Sequence, residues 1–168
     1  TANTIAPQVI DARTWMEGVA QPEDRPLLNV SQAAPVDPPP LALREAMAKM
    51  VLEDAESHLY GPVLGLPALR TEVATQWTAS YGGTVEPQQV AITSGCNQAF
   101  AATIATLCTD GAEVIIPVPY YFNHRMWLDM SGIKTTALTT NDQMLPDVEA
   151  AEKLITSRTR AIALVSPN

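Results

Sequence analysis

Residues 113–118 read Glu-Val-Ile-Ile-Pro-Val, and the near absence of polar side chains in them decides the fold class. A strand with one face in water alternates apolar and polar residues, whereas a strand covered by helices on both faces is apolar at almost every position. Residues 161–166, AIALVS, have the same character. Working outward, Gln89–Thr93, Glu113–Pro117, Thr135–Thr140 and Arg160–Val165 have strand composition, and the stretches Asn97–Thr109, Asn123–Met130 and Asp147–Thr156 between them have helical spacing. Strand and helix alternating in this way predict an α/β chain, a three-layer α/β/α arrangement with a mostly parallel central sheet.

Before residue 90 the pattern is different. Pro7, Pro22, Pro26, Pro35 and Pro38-Pro39-Pro40 break any regular structure, so residues 1–40 are expected to form an extended arm and linker, with residues 41–168 as the sheet-bearing portion. Leu41–Glu56 is expected to be a helix with Leu43, Met47 and Met50 on one face, core filler rather than ligand contacts. Residues 60–65, YGPVLG, form a turn that feeds a second helix carrying Leu66, Leu69, Val73 and Trp77, ended by Gly82-Gly83. The sequence stops at Val165-Ser166-Pro167-Asn168, directly after a core strand, so a truncated chain is expected.

The 168 residues are 46% hydrophobic and 17% charged, enough to bury a core. A net charge of -8 and a pI near 4.6 repel a phosphate backbone, which sets nucleic acid aside as a partner. No apolar run approaches the roughly 18 residues needed to cross a bilayer, and TANTIAPQVIDARTW has no leader pattern, so a cytoplasmic location without membrane contact is expected. Cys96 and Cys108 lack metal-ligand spacing and are read as reduced structural cysteines, with no metal site. His58 and His124 have no acid or nucleophile beside them in sequence and are read as structural or surface residues.

Ligands of parallel sheets gather at the carboxyl ends of the strands. Two stretches stand there. In residues 93–97, TSGCN, glycine permits close backbone approach, and the first amides of the following helix, around Gly95, Cys96 and Asn97, point outward with the positive end of its dipole. A phosphate would satisfy them; a plain Ser or Asn helix cap is the equal alternative. In residues 117–124, PVPYYFNH, the rings of Tyr120, Tyr121 and Phe122 lie at a strand end, either as a stacking platform or as packing under a loop.

Five stretches in order, LNVSQAAP (28–35), YGPVLGLPALR (60–70), ITSGCNQA (92–99), PVPYYFNH (117–124) and ALVSPN (163–168), resemble the N-terminal part of class I/II pyridoxal-phosphate-dependent aminotransferases of fold-type I. The resemblance covers nearly the whole chain. It implies that Gly95, Cys96 and Asn97 hold the phosphate of pyridoxal 5'-phosphate, that Tyr121 stacks on the pyridine ring, and that the Tyr60 hydroxyl reaches the cofactor of a neighbouring subunit in a homodimer with shared active sites. Ala33 stands where many relatives have a glycine near the substrate carboxylate, and its methyl group narrows that space.

The implied reaction moves an amino group between an amino acid and a 2-oxo acid. No catalytic residue is expected in this segment, because Lys49, Lys134 and Lys153 do not lie at the carboxyl end of a strand and the Schiff-base lysine is expected beyond Asn168. The same scaffold also serves carbon-sulfur lyases, decarboxylases and synthases, and non-catalytic effector-binding domains of regulators. An ordinary dinucleotide-binding domain would call for a GxGxxG turn rather than TSGCNQ.

Overall fold

The structure is a computed structural model that describes residues 4–28, 30 and 34–166. The described residues fall into two compact units, one drawn from 1–15 and 94–168, the other from 16–93.

The first unit is built on a parallel sheet of three strands, β1 (Glu113–Val118), β2 (Lys134–Thr139) and β3 (Thr159–Ile162), in the order β2-β1-β3. Its helices are α1 (Gln8–Thr14), α4 (Cys96–Leu107), α5 (Phe122–Met130) and α6 (Val148–Leu154). β1 is central, and Val114, Ile115 and Ile116 are buried on both of its faces, as its unbroken apolar sequence requires. Val114 and Ile116 pack with Ile104 and Cys108 at α4, Leu128 of α5 and Ile133 in one core. Ile115 and Leu138 are buried on the opposite face. The chain steps from β1 to β2 through α5, then back across β1 to β3 through α6. Right-handed crossovers in opposite directions put α5 and α6 on opposite faces, giving the three layers. They also open a crevice at the carboxyl ends of β1 and β2.

A buried charge closes the other end of the sheet. Glu113, at the start of β1, accepts hydrogen bonds from Thr156 Oγ1 at 2.8 Å, Lys134 Nζ at 3.1 Å and Arg158 Nη2 at 2.7 Å. The Thr156 hydroxyl first, then Lys134 and Arg158, hold its carboxyl down at about 2. The three donors come from β2 and from the turn into β3, so one carboxylate ties the three strands together.

In the second unit, α2 (Leu41–Glu53) is followed by a 3-10 turn at Ala55–His58, and α3 (Pro67–Tyr81) ends at Gly82 with a φ of 71°. The expected helix Leu41–Glu56 thus stops at Glu53, because Asp54 is extended and its side chain accepts from the Glu56 amide, restarting the chain as a tighter turn. Gly65 has a φ of 97°, and a β-carbon there would lie 2.6 Å from Ile92, so the YGPVLG turn needs its last glycine.

Two expectations are corrected. Residues 89–93 are not a strand: Pro87–Gln89 is a 3-10 turn held by a Glu86–Gln89 capping box, and Arg70 donates to the carbonyls of Pro87 and Val90 at 2.7 and 2.8 Å. With the Ile92 amide bonded to the Leu64 carbonyl, these backbone groups go to a side chain and a turn instead of a ladder. Within the stretch expected to be an extended arm, Gln8–Thr14 is helical; Pro7 sits at its N-cap, and no proline follows before Pro22.

Candidate functional site

The carboxyl ends of the strands carry a cleft of about 510 Å³, lined by Ile116, Tyr120, Tyr121, Thr140, Leu145 and Val165 among others. One wall is the turn after β2. There Asn141 Oδ1 accepts from the amides of Gln143 and Leu145 at 2.9 and 3.0 Å, and Thr140 Oγ1 donates to the Val118 carbonyl at 2.7 Å, fixing this turn to the end of β1.

Gly95 is the N-cap of α4, with a φ of 94° and a ψ of 165°, and the helix has no side-chain cap hydrogen bond. Neither Ser94 nor Asn97 therefore plays the part of the plain cap that the sequence left open. Instead Gln98 reaches back and accepts from the Ser94 amide at 2.6 Å. The amides of the first helical turn, at Cys96 and Asn97, have no acceptor within a helix by geometry. Cys96 is exposed, and Asn97 Oδ1 is buried with no hydrogen-bond partner among the described residues.

Tyr121 caps α5 at the rim of the cleft. Its hydroxyl accepts from Asn123 Nδ2 at 2.6 Å, and its ring is tilted 54° to Phe122 at 5.4 Å. The link between Tyr121 and α4 runs through two rings that the sequence did not single out as a pair. His124 meets Tyr121 edge-on at 5.2 Å and stacks on Phe100 of α4 at 3.9 Å and 12°. Burial pushes the His124 imidazole below its ordinary pKa. Of the two readings, structural or surface, His124 is thus structural, half-buried between two rings; the only signal in the sequence for this pairing was that it follows Tyr121 by three residues.

Tyr60, in the second unit, is fully exposed. Ala33 lies outside the described residues. Lys134 opens β2 at the end of the sheet away from the cleft, and Lys49 forms an exposed pair with Glu53 at 3.8 Å. His58 bonds the Val51 carbonyl at 2.8 Å, a local structural contact. Among the described residues no group of His, Cys, Asp and Glu could hold a metal ion, and no helix is long and apolar enough to cross a membrane.

Comparison with known proteins decides the family: the description "aminotransferase class I and II" matches residues 25–168. The chain belongs to the class I and II aminotransferases. This family member is similar to the aromatic aminotransferase ISS1 of Arabidopsis thaliana, 27% identical over 99% of this chain and 42% of that protein. It is 32% identical to the aromatic-amino-acid aminotransferase 2 of Thermococcus litoralis, over 72% of this chain and 32% of that one. Among solved structures, the alanine aminotransferase from Pyrococcus furiosus superposes with a TM-score of 0.84 at 25% identity, covering 99% of this chain and 43% of the other. An aminotransferase from Mycobacterium tuberculosis gives 0.81 at 25% identity, over 97% and 42%. The aminotransferase chain described here thus spans roughly a third to two fifths of the length of these curated relatives. Its α/β architecture is that of the fold-type I aminotransferases.

Proposed function

We propose that these residues form the phosphate-and-ring half of a pyridoxal 5'-phosphate site, in a protein that moves an amino group between an amino acid and a 2-oxo acid. The observation that carries this reading is a helix, α4, that begins on Gly95 without a side-chain cap and packs through Phe100 and His124 beside Tyr121 at the rim of the cleft. The residues present suit the group. Outward first-turn amides and the helix dipole favour a phosphate dianion, the positive φ of Gly95 needs no side chain there, and Tyr121 offers a flat face to a pyridine ring.

In this reading Gly95, Cys96 and Asn97 hold the phosphate through the backbone, with Cys96 a backbone donor rather than a thiol nucleophile. Tyr121 orients the ring and excludes water from one face. Bound there, pyridoxal phosphate supplies an electron sink that weakens the bonds at the amino acid's α-carbon. No side chain among the described residues is assigned to move the proton. Ala33 is assigned to the substrate carboxylate through its amide, and Tyr60 to the phosphate site of a second subunit, in a homodimer. The complete exposure of Tyr60 supports an outward reach. Residues 1–40 serve as arm and linker and 41–168 as part of the cofactor-binding large domain. Free cysteines support a cytoplasmic location.

The relatives are aromatic, aspartate and alanine aminotransferases by name, so the reading stops at the substrate class. The test is spectroscopic: the whole protein, purified and supplied with pyridoxal phosphate, is expected to hold it through gel filtration and to change its visible absorbance when amino acids are added. A protein that returns cofactor-free would overturn the reading.

A further inference from the structure

The backbone pairing of β1 with β2 ends at Val118, which stands opposite Thr139. One residue further on, the half-buried Thr140 donates its hydroxyl to the Val118 carbonyl at 2.7 Å. That hydroxyl comes from a turn that is itself fixed, since Asn141 Oδ1 accepts from the amides of Gln143 and Leu145, and Thr140 is bridged to Pro146. On the other side of the bond, Val118 lies between Pro117 and Pro119, neither of which has a backbone N–H to give. The end of β1 is thus short of donors, and a side chain at the end of the neighbouring strand supplies one to its last carbonyl. Only Pro119 and Tyr120 stand between Val118 and Tyr121. The Pro119 ring fixes its own φ, so this stretch is short and stiff, and the place where Val118 is held carries over to Tyr121.

We propose that Thr140 is a positioning residue: its hydroxyl, by holding the Val118 carbonyl, fixes the end of β1 and through it the place of Tyr121 at the rim of the cleft. The inference rests on the cofactor reading above, in which Tyr121 orients the pyridine ring while the first turn of α4 holds the phosphate. Phosphate and pyridine are joined by a short linker, so the two grips must keep a fixed spacing. The Tyr121 hydroxyl is bonded to Asn123, but that bond is internal to the segment and moves with it. The Thr140 bond differs in joining the root of the segment to a second strand. Without it Tyr121 would gain freedom that cofactor binding must then remove. A neutral hydrogen bond of this kind corresponds to roughly two- to tenfold in an equilibrium constant.

The test titrates pyridoxal phosphate into the cofactor-free whole protein and its variants, alongside the melting temperature of each cofactor-free form. Thr140→Val keeps the shape of the side chain and removes the donor, so it is expected to weaken binding roughly two- to tenfold and to melt lower. Thr140→Ser keeps the donor and is expected to bind within about twofold of wild type. Because Thr140 acts through Tyr121, Thr140→Val should cost no further affinity in a Tyr121→Leu background, although its lower melting temperature should persist there. A hydroxyl that only stabilised the fold would lower affinity in both backgrounds alike. The proposal is overturned if Thr140→Val binds as wild type does, if Thr140→Ser binds as poorly as Thr140→Val, or if the losses from Thr140→Val and Tyr121→Leu multiply. A wild-type protein that takes up no pyridoxal phosphate overturns the cofactor reading and this inference with it, whereas the order of the variants bears on Thr140 alone.

Discussion

Gly95 has a conformation, φ 94° and ψ 165°, that other residues reach only under strain. A β-carbon there would meet nothing within 4 Å, so the cost of Gly95→Ala is backbone strain and not a clash. The substitution is expected to destabilise the protein by about 1–3 kcal/mol, read from denaturant unfolding, and to weaken pyridoxal phosphate binding as the helix start shifts. An unchanged unfolding midpoint would show that the helix start adapts freely. Tyr60 is the opposite case, since its ring is fully exposed. Tyr60→Phe removes one hydroxyl, and in the whole protein it should weaken cofactor retention by about 0.5–3 kcal/mol with an unchanged melting temperature of the cofactor-free form. Full activity from a strictly monomeric protein would contradict the assignment.

Among the elements, the three strands are joined at one end by Glu113, and this gives the sheet a pH dependence of definite sign. The folded carboxyl is held at about 2, below its ordinary value of 4.5, so between those values the unfolded chain binds more protons than the folded one. The stabilisation from Glu113 is complete above the ordinary value and is lost as pH falls through about 2. Glu113→Gln should lower stability at neutral pH and flatten this acid limb, which urea titrations at a series of pH values would reveal. An acid limb unchanged in the variant would place the titration elsewhere. Leu128, fully buried where α5 meets α4 and β1, should cost about 2–5 kcal/mol as Leu128→Ala. The strands β1, β2 and β3 and the helices α4 to α6 were legible in the sequence because apolar runs and helical spacing report burial directly. The break at Asp54 and the turn at Pro87–Gln89 were not, since each depends on a side chain, Asp54 or Arg70, taking a backbone group that periodicity assigns to a helix or a ladder. At the site, the glycine and the ring were visible as types at strand ends. The Phe100–His124 stack was hidden because its partners lie 24 residues apart in sequence and meet only when α4 packs on α5.

On the scale of the whole molecule, the two units bury their side chains very differently. Every buried side chain of the hydrophobic core cluster belongs to the sheet unit, whereas α2 buries none and leaves Leu41, Leu43, Met47, Met50, Val51 and Leu52 exposed. Exposed apolar side chains in this number on one helix favour association in water. Residues 1–168 produced alone are therefore expected to self-associate and to hold pyridoxal phosphate weakly, since in the proposed reading they would supply a phosphate cup and a ring but no lysine at a strand's carboxyl end. Sedimentation and a cofactor titration of that stretch would check both points, and a soluble monomer that binds tightly would refute both. The most direct test of the cup itself is a pyridoxal phosphate titration of the whole cofactor-free protein, comparing wild type with Tyr121→Leu. The wild type is expected to saturate and to respond to added amino acid with a change in visible absorbance, and Tyr121→Leu to bind more weakly while unfolding as wild type does. Equal affinities for the two proteins, or no binding by either, would contradict the placement of the cofactor between α4 and Tyr121.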